Sequence, residues 1–400
     1  MHARPLVAIA HGYSHHVWGS ERVALDCARA YRQGGWRVVF LLPGPGPFTE
    51  LVRRAGFRVR YCPTCPVRVG KMKLAAARVP GVAWTLAREN PELIHATSLD
   101  PLEGLDLAAR QRGTPIMVQL QTPYTVDQLE RSRVRGADMV LPVSREVARQ
   151  AAAVLGDDRG WPVGSLRILR PPVTAPDRRA RWRGQWLRDR WEVQRDEAVL
   201  GMVGQIIPRK GVDVFLRACA ELVREGLAVR PVLVGDAPAG HERYRSAMLE
   251  LARVLGLEQK LIVTGAVEDV FAHHAALDVL SVPSRREGLG LVAGEAMLCG
   301  VPVVAARAGG LEELVEDGRT GLLVDPDDVQ DLVRGLRALV TDRGLAGKLA
   351  RQGRRHVEQN FGPAPFGQRL THLAGKLIAF EPRHESEADL VPLSGMEMSS

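Results

Sequence analysis

The chain has 400 residues, 46% of them hydrophobic and 25% charged, a composition that describes a soluble globular protein and a length that suits two domains. Its net charge of +8 favours anionic partners such as nucleotide phosphates or lipid headgroups, but aromatics are only 5% and no DNA- or RNA-binding motif occurs, so nucleic acid is not an expected partner. No apolar run reaches the about 18 residues that span a bilayer, and Met1–Pro5 leads into a short strand rather than a signal peptide, so the expected compartment is the cytosol.

In chain order, apolar runs at Leu6–Ala10, Val38–Leu42, Phe57–Tyr61, Leu93–Ala96, Ile116–Leu120 and Met139–Val143 read as short buried strands. Helical patterns such as Glu21–Arg32 and Ser144–Leu155 lie between several of them. This alternation predicts a parallel sheet covered by helices on both faces. Cys62-Pro-Thr-Cys65 has no second pair and no neighbouring histidine, and reads as a loop with incidental thiols. An odd, scattered set of five cysteines argues against a disulfide framework.

Pro171-Pro172 closes the first half, and a basic stretch from Asp177 to Arg195 joins it to the second. Trp182 and Trp186 share one helical face of that stretch. Either it is an interfacial helix against anionic lipid, or a linker helix packing its tryptophans on the second domain. The second reading is favoured, because Gly184 weakens the helix and the apolar face is short.

A second series of strands starts at Val199–Val203 and continues through Pro231–Val234, Leu261–Val263, Val279–Val282, Pro302–Ala305 and Gly321–Val324. The expected fold class is therefore α/β, with two doubly wound Rossmann-like domains facing a central cleft at the carboxyl ends of their strands. The expected divisions are an N-terminal domain over 1–172, a linker over 173–197, a C-terminal domain over 198–362, a helix over 363–380 and a disordered tail over 381–400.

The densest motif runs from Pro283 to Gly310, where Glu287 and Glu295 flank a glycine-rich turn. Gly288 and Gly290 permit positive backbone angles and a close approach of ligand to main chain. A helix predicted over Leu291–Cys299 points the N–H groups around Gly290, Leu291 and Val292, and its positive dipole end, back at the turn. Such a turn suits phosphate. Glu287 and Glu295 would then touch polar groups on either side of it, which describes a nucleotide sugar. A second loop, Gly204-Gln205-Ile206-Ile207-Pro208-Arg209-Lys210-Gly211, follows a strand, opens a helix and supplies cations. No Asp-x-Asp stands where it would hold Mg²⁺ between phosphates, so a metal is not expected.

Together these residues resemble the signature of the family-4 retaining glycosyltransferases of the two-Rossmann-domain (GT-B) type. The match comprises Pro283-Ser284, Glu287-Gly288-Leu289-Gly290, Glu295-Ala296-Met297, Gly300-Val301-Pro302-Val303-Val304 and Gly309-Gly310 with Glu313. The resemblance implies that Glu287 contacts the donor sugar and Glu295 the nucleotide ribose. It also implies a diphosphate clamp of an arginine, four intervening residues and a lysine. Lys210 matches the lysine, and Gln205 stands where the arginine is usual. Arg209 is the nearest replacement charge, although its side chain should point elsewhere. Trp18-Gly19-Ser20-Glu21 is similar to the family's Gly-Gly-x-Glu loop, and Gln121 stands where members often carry a histidine against the donor sugar. His15, His16 and His95 read as loop or strand-end residues rather than catalysts.

The same resemblance implies a retaining glycosyltransferase with its acceptor on the first domain and its donor on the second, and a C-terminal helix that crosses back to the first. Such an enzyme needs no cofactor beyond the nucleotide-diphospho-sugar. The acceptor would be a sugar, a lipid-linked compound or a small molecule, in surface polysaccharide, glycolipid or glycoside synthesis. Peripheral contact with the inner leaflet of a membrane is open. Gln121 and Gln205 leave a second reading, a sugar-nucleotide-binding assembly or regulatory subunit without transferase activity.

Overall fold

Aliphatic runs form strands buried on both faces, and the amphipathic segments between them form the covering helices. In the computed structural model of the chain, residues 4–63, 68–69, 72–73, 79–156 and 165–379 are described; Cys65 and the expected tail over 381–400 lie outside them. The first half opens with β1 (Leu6–Ala10), α1 (Gly19–Gln33), β2 (Arg37–Leu42), α2 (Pro47–Arg54) and β3 (Arg58–Tyr61). A short antiparallel pair follows, β4 (Arg68–Val69) and β5 (Met72–Lys73). Then come α3 (Val79–Glu89), β6 (Leu93–Ala96), α4 (Leu102–Arg110), β7 (Ile116–Leu120), α5 (Val126–Arg131), β8 (Met139–Pro142) and α6 (Arg145–Leu155).

After α7 (Ala180–Arg190), the second half runs through β9 (Ala198–Val203), α8 (Val212–Arg224), β10 (Val229–Val234), α9 (Glu242–Val254), β11 (Ile262–Val263) and α10 (Val270–Ala275). It continues with β12 (Val279–Val282), α11 (Leu291–Leu298), β13 (Val303–Ala306), α12 (Leu311–Leu314) and β14 (Leu322–Val324). Three helices close it, α13 (Val329–Thr341), α14 (Arg343–Asn360) and α15 (Pro363–Leu377).

Each half makes one six-stranded sheet, in the orders β3-β2-β1-β6-β7-β8 and β11-β10-β9-β12-β13-β14, with every pairing parallel. The expected class, two doubly wound Rossmann-like domains, is thus the one observed. The winding reverses between β1 and β6 in the first sheet and between β9 and β12 in the second. A crevice opens beyond the strand ends at each reversal, so the loops after Val203 and Val282 are neighbours by topology alone. α15 returns to the first domain, where Phe366, Leu370 and Leu373 share a core with Val23, Ala28 and Phe40.

α7 corrects the sequence reading. It packs against α10 through Ala180, Gly184 and Leu187, which lie on one stripe of the helix. A Cβ added at Gly184 would come within 2.7 Å of the Ala275 carbonyl carbon, so the helices touch where the side chain is absent. Trp182 and Trp186, each two residues from Gly184, fall on the opposite face and are 70% and 52% exposed. The small residues make the contact with the second domain, and the indoles face outward. No helix among the described residues is long and apolar enough to cross a membrane.

Gly184→Leu forces a side chain into the Ala275 backbone and should destabilise the protein by about 1–3 kcal/mol. Trp182→Ser, on the outer face, should stay within about 0.5 kcal/mol of wild type. Thermal unfolding of both variants checks this; equal stability of Gly184→Leu and wild type would mean that α7 packs by another face.

Candidate active site

The two switch-point loops of the second domain meet through glycine. Gly211, with φ +71°, ends the short turn Pro208–Lys210, and a Cβ there would sit 2.1 Å from the Pro283 carbonyl oxygen. Arg285 ties the loops further, through its N–H to the Arg209 carbonyl at 2.8 Å and its guanidinium to both oxygens of Asp213. Lys210 and Glu287 are thereby brought together, with Nζ 2.5 Å from the carboxylate. Ser284 Oγ donates to the same oxygen at 3.1 Å, and the Gly288 N–H reaches the other at 3.3 Å.

Arg209 does not point away as the sequence suggested. Its guanidinium lies 3.6 Å from Glu287 and donates to the Arg286 carbonyl at 2.8 Å. The tight turn swings two successive side chains toward one carboxylate. Burial alone would raise the Glu287 carboxyl, but the charges of Lys210 and Arg209 and the hydrogen bonds of Lys210 and Ser284 overcome it and hold the group down to about 2. Glu287 is ionised at neutral pH, and a pair of cations stands beside it. Gly204 leads into this loop with φ +142°, and the nearest atom to a Cβ there would be Lys210 Cε at 3.8 Å. Gln205 follows it, half-buried.

Gly290 is the N-cap of α11 with φ +85°, an angle that a side chain would strain. The first N–H groups of the helix, on Leu291 and Val292, have no carbonyl a turn back to accept them. Gly288 serves differently from what the sequence suggested. Its angle is ordinary, but a Cβ would lie 2.3 Å from the Gln121 carbonyl oxygen, so the backbones of the two domains touch at this point. Gly309 and Gly310 bring their backbone beneath the turn, where Cβ atoms would meet the carbonyl oxygens of Glu287 and Gly288 at 2.4 and 2.0 Å. Glu295, on α11, accepts from the buried His274 of α10 at 3.4 Å.

Across the cleft, Glu21 is fully buried, with His11 at 2.9 Å and His16 at 3.3 Å. The Trp18 N–H and the Ser20 hydroxyl also donate to it, at 2.8 and 2.9 Å. Burial raises this carboxyl, but the hydrogen bonds of His11 and His16 hold it well below the usual carboxylate range. Glu21 therefore organises the loop that starts α1. Gly19 has open space where a Cβ would stand. Tyr13, His15, His16 and Trp18 form a chain of ring contacts in this loop, at centroid distances from 4.5 to 6.1 Å. Sequence reasoning missed His11, a lone histidine at the end of a strand; its position at the sheet's reversal was the available signal. Gln121 donates its amide to the carbonyls of Thr97 at 2.9 Å and Ser20 at 3.4 Å, bracing this loop. His95 is buried in β6 against Tyr31, and burial pushes its imidazole down to about 3.

Glu313, from the Gly309-Gly310 segment, reaches the first half of the chain. It accepts the Arg145 N–H at the start of α6 at 2.5 Å and the Arg170 Nε–H at 2.9 Å. The signature glutamate thus works as an interdomain tie.

Residues 197–342 match the family described as "Glycosyl transferases group 1", and residues 19–161 the one described as "Glycosyl transferase 4-like domain". Over 356 residues the chain is 30% identical to a GDP-mannose-dependent alpha-(1-6)-phosphatidylinositol monomannoside mannosyltransferase of Mycolicibacterium smegmatis, covering 82% of this chain and 87% of that one. A D-inositol 3-phosphate glycosyltransferase of Nocardia farcinica is 32% identical over 323 residues, 74% of this chain and 67% of that one. Among solved structures, Anabaena HepE in complex with UDP and glucose aligns with a TM-score of 0.79 at 25% identity, covering 92% of this chain and 99% of that one.

Lys210→Met leaves Glu287 with Arg209 as its remaining charged partner and should cost about 1–3 kcal/mol of stability at neutral pH. Because the folded carboxyl titrates near 2 rather than 4.5, its contribution is present above pH 4.5 and lost as pH falls toward 2. The deficit of Lys210→Met should therefore narrow in acid, and Glu287→Gln in the same background should add little. Denaturant unfolding of the single and double variants at neutral pH and about pH 3 measures both; additive, pH-independent losses would show the two side chains to be uncoupled.

Proposed function

The chain belongs to the group 1 glycosyl transferases, and on that premise we propose that it moves a sugar, with retention at the anomeric carbon, from a nucleotide-diphospho-sugar to a hydroxyl acceptor. The observation that carries the proposal is the buried Lys210–Glu287 pair where two switch-point loops meet at the start of α11. An incoming diphosphate replaces Glu287 as the partner of Lys210, with Arg209 beside it. The N–H groups of Leu291 and Val292 complete the neutralisation, and Gly204, Gln205, Gly288, Gly290 and Gly19 line the phosphate path. Glu287, with its carboxyl near 2, is ionised and so accepts a hydroxyl of the donor sugar rather than giving a proton. Glu295, oriented by His274, takes a ribose hydroxyl, and the Gln121 amide carbonyl is left to face the donor sugar.

In the transfer, the bond from C1 to the diphosphate oxygen breaks while the acceptor oxygen bonds to C1 on the same face. The acceptor's proton passes to the departing phosphate oxygen, so no base on the opposite face is required. Protein cations and the helix end carry the leaving charge, and no divalent metal is needed. One relative is named for GDP-mannose and another was crystallised with UDP, so both nucleotide series are candidates. The acceptor is a sugar, a lipid-linked compound or a small molecule, received by the Tyr13–Trp18 loop in surface polysaccharide, glycolipid or glycoside synthesis. A lipid-linked acceptor brings peripheral contact with the inner leaflet of a membrane, from the cytoplasm.

Glu287→Ala should lower kcat by about 100-fold or more without weakening donor affinity, since it frees Lys210 for the diphosphate while removing a contact to the reacting sugar. Glu295→Ala should mainly raise the donor KM, because a ribose contact stabilises ground and transition states alike. Steady-state kinetics in EDTA, with a donor chosen by thermal-shift screening of uridine and guanosine diphospho-sugars, test the assignment. The reverse pattern would refute these roles, and turnover restored only by Mg²⁺ or Mn²⁺ would refute neutralisation by the protein.

A further inference from the structure

α7 joins the two domains and buries one stripe of side chains. Two of its arginines are spent on fastening it: Arg183 pairs with Asp177 and Asp269, and Arg188 with Asp278. Arg181 and Arg190 within the helix, and Arg178 and Arg179 just before it, stay exposed, with no carboxylate at ion-pair distance among the described residues. Between them stand Trp182 and Trp186, 70% and 52% exposed, and the Arg190 guanidinium lies 5.7 Å from the Trp186 ring centroid. Asp189 shares the face, held by the Gln185 amide at 3.0 Å.

We propose that this outer face of α7 docks the protein on an anionic lipid surface. The inference rests on the peripheral membrane contact proposed above and names the surface that makes it. An indole is apolar across its ring and polar at its N–H, and gains most where one end is buried and the other hydrated, as in the headgroup layer of a bilayer. Guanidinium groups beside it meet lipid phosphate in the same plane. A helix lying flat on its domain offers a row of such groups, which matches a layer that is anionic above and apolar beneath. A polyanion without an apolar layer would use the arginines but leave the indoles in water.

The placement also serves the reaction. α7 rests on α10, and α10 carries His274 against Glu295 of α11. The lipid face and the donor side of the cleft therefore belong to one stack of helices, which holds the cleft near the bilayer from which a lipid-linked acceptor comes.

Co-sedimentation of the full chain with vesicles of phosphatidylcholine, alone or mixed with phosphatidylglycerol, tests the proposal. Wild type should bind the mixed vesicles, bind the neutral ones weakly, and be released as salt is raised. Trp182→Ser with Trp186→Ser should weaken binding about tenfold or more. Arg179→Gln with Arg190→Gln should do likewise, each arginine near an anionic surface being worth about fivefold. Both double variants should keep the wild-type Tm and nucleoside diphosphate affinity, and Trp84→Ser, at the exposed tryptophan of α3, should keep vesicle binding. The proposal is overturned if wild type ignores anionic vesicles, if the double tryptophan variant binds them as wild type does, if Trp84→Ser alone abolishes binding, or if wild type prefers polyuridylate to the vesicles. Any of these, with nucleotide binding intact, removes the docking surface and leaves the transferase reading standing.

Discussion

A lysine and a carboxylate nearly removed from water must hold each other, because either one left alone there would bear a desolvation cost of several kcal/mol. Lys210 comes from the loop after β9 and Glu287 from the loop after β12, strands that are neighbours where the sheet reverses its winding. The fold itself thus brings the two charges together, before any ligand arrives. A cation already aimed and dehydrated needs little reorganisation when a departing diphosphate develops charge beside it. In the proposed reaction the carboxylate would keep the lysine in place until phosphate takes over, and would then be free to meet the sugar. In that proposal, one buried contact links the stability of the cleft to its chemistry.

The glycines around this contact are explained by how closely backbones pass. Gly211 lets the two loops meet, Gly309 and Gly310 support the turn from beneath, and Gly288 lets the first domain's Gln121 carbonyl reach it. A methyl group at any of these would have to displace backbone atoms rather than a side chain. Glu313 extends the same segment into an interdomain tie, with a helix N-terminus and Arg170 as its partners. The turn that carries Glu287, its supporting glycines and the tie between domains are consecutive parts of one stretch of chain. That continuity accounts for the density of the signature there.

Much of this was legible in the sequence, for physical reasons. Parallel strands buried on both faces are written as plain aliphatic runs, so Leu6–Ala10, Leu93–Ala96, Ile116–Leu120 and Val279–Val282 could be read to the residue. The turn and helix around Gly290 were legible because a positive angle and a helix N-terminus each demand a particular residue. Side-chain direction was not. Arg209 turns onto Glu287 because the turn at Pro208–Lys210 is tight, which no pattern of charges announces. The tryptophans of α7 face out because Gly184 makes the close contact, and a helix with aromatic and small residues on opposite faces does not declare which face packs. The Gln121 amide bracing the Ser20 loop depends on a contact between distant segments and leaves no local trace, while His11 beside Glu21 is signalled only by the place of its strand in the sheet.

If the Lys210–Glu287 pair is a preformed diphosphate seat, its lysine must hold a nucleoside diphosphate without help from a metal. Calorimetric titration of UDP and GDP in EDTA into wild type and Lys210→Met measures this directly. Wild type should bind one of the two, and Lys210→Met should bind it about tenfold to a hundredfold more weakly, the worth of a hydrogen bond to a charged group. Equal affinity in both proteins would contradict the account, because the lysine would then be a structural partner of Glu287 and the phosphates would lie elsewhere.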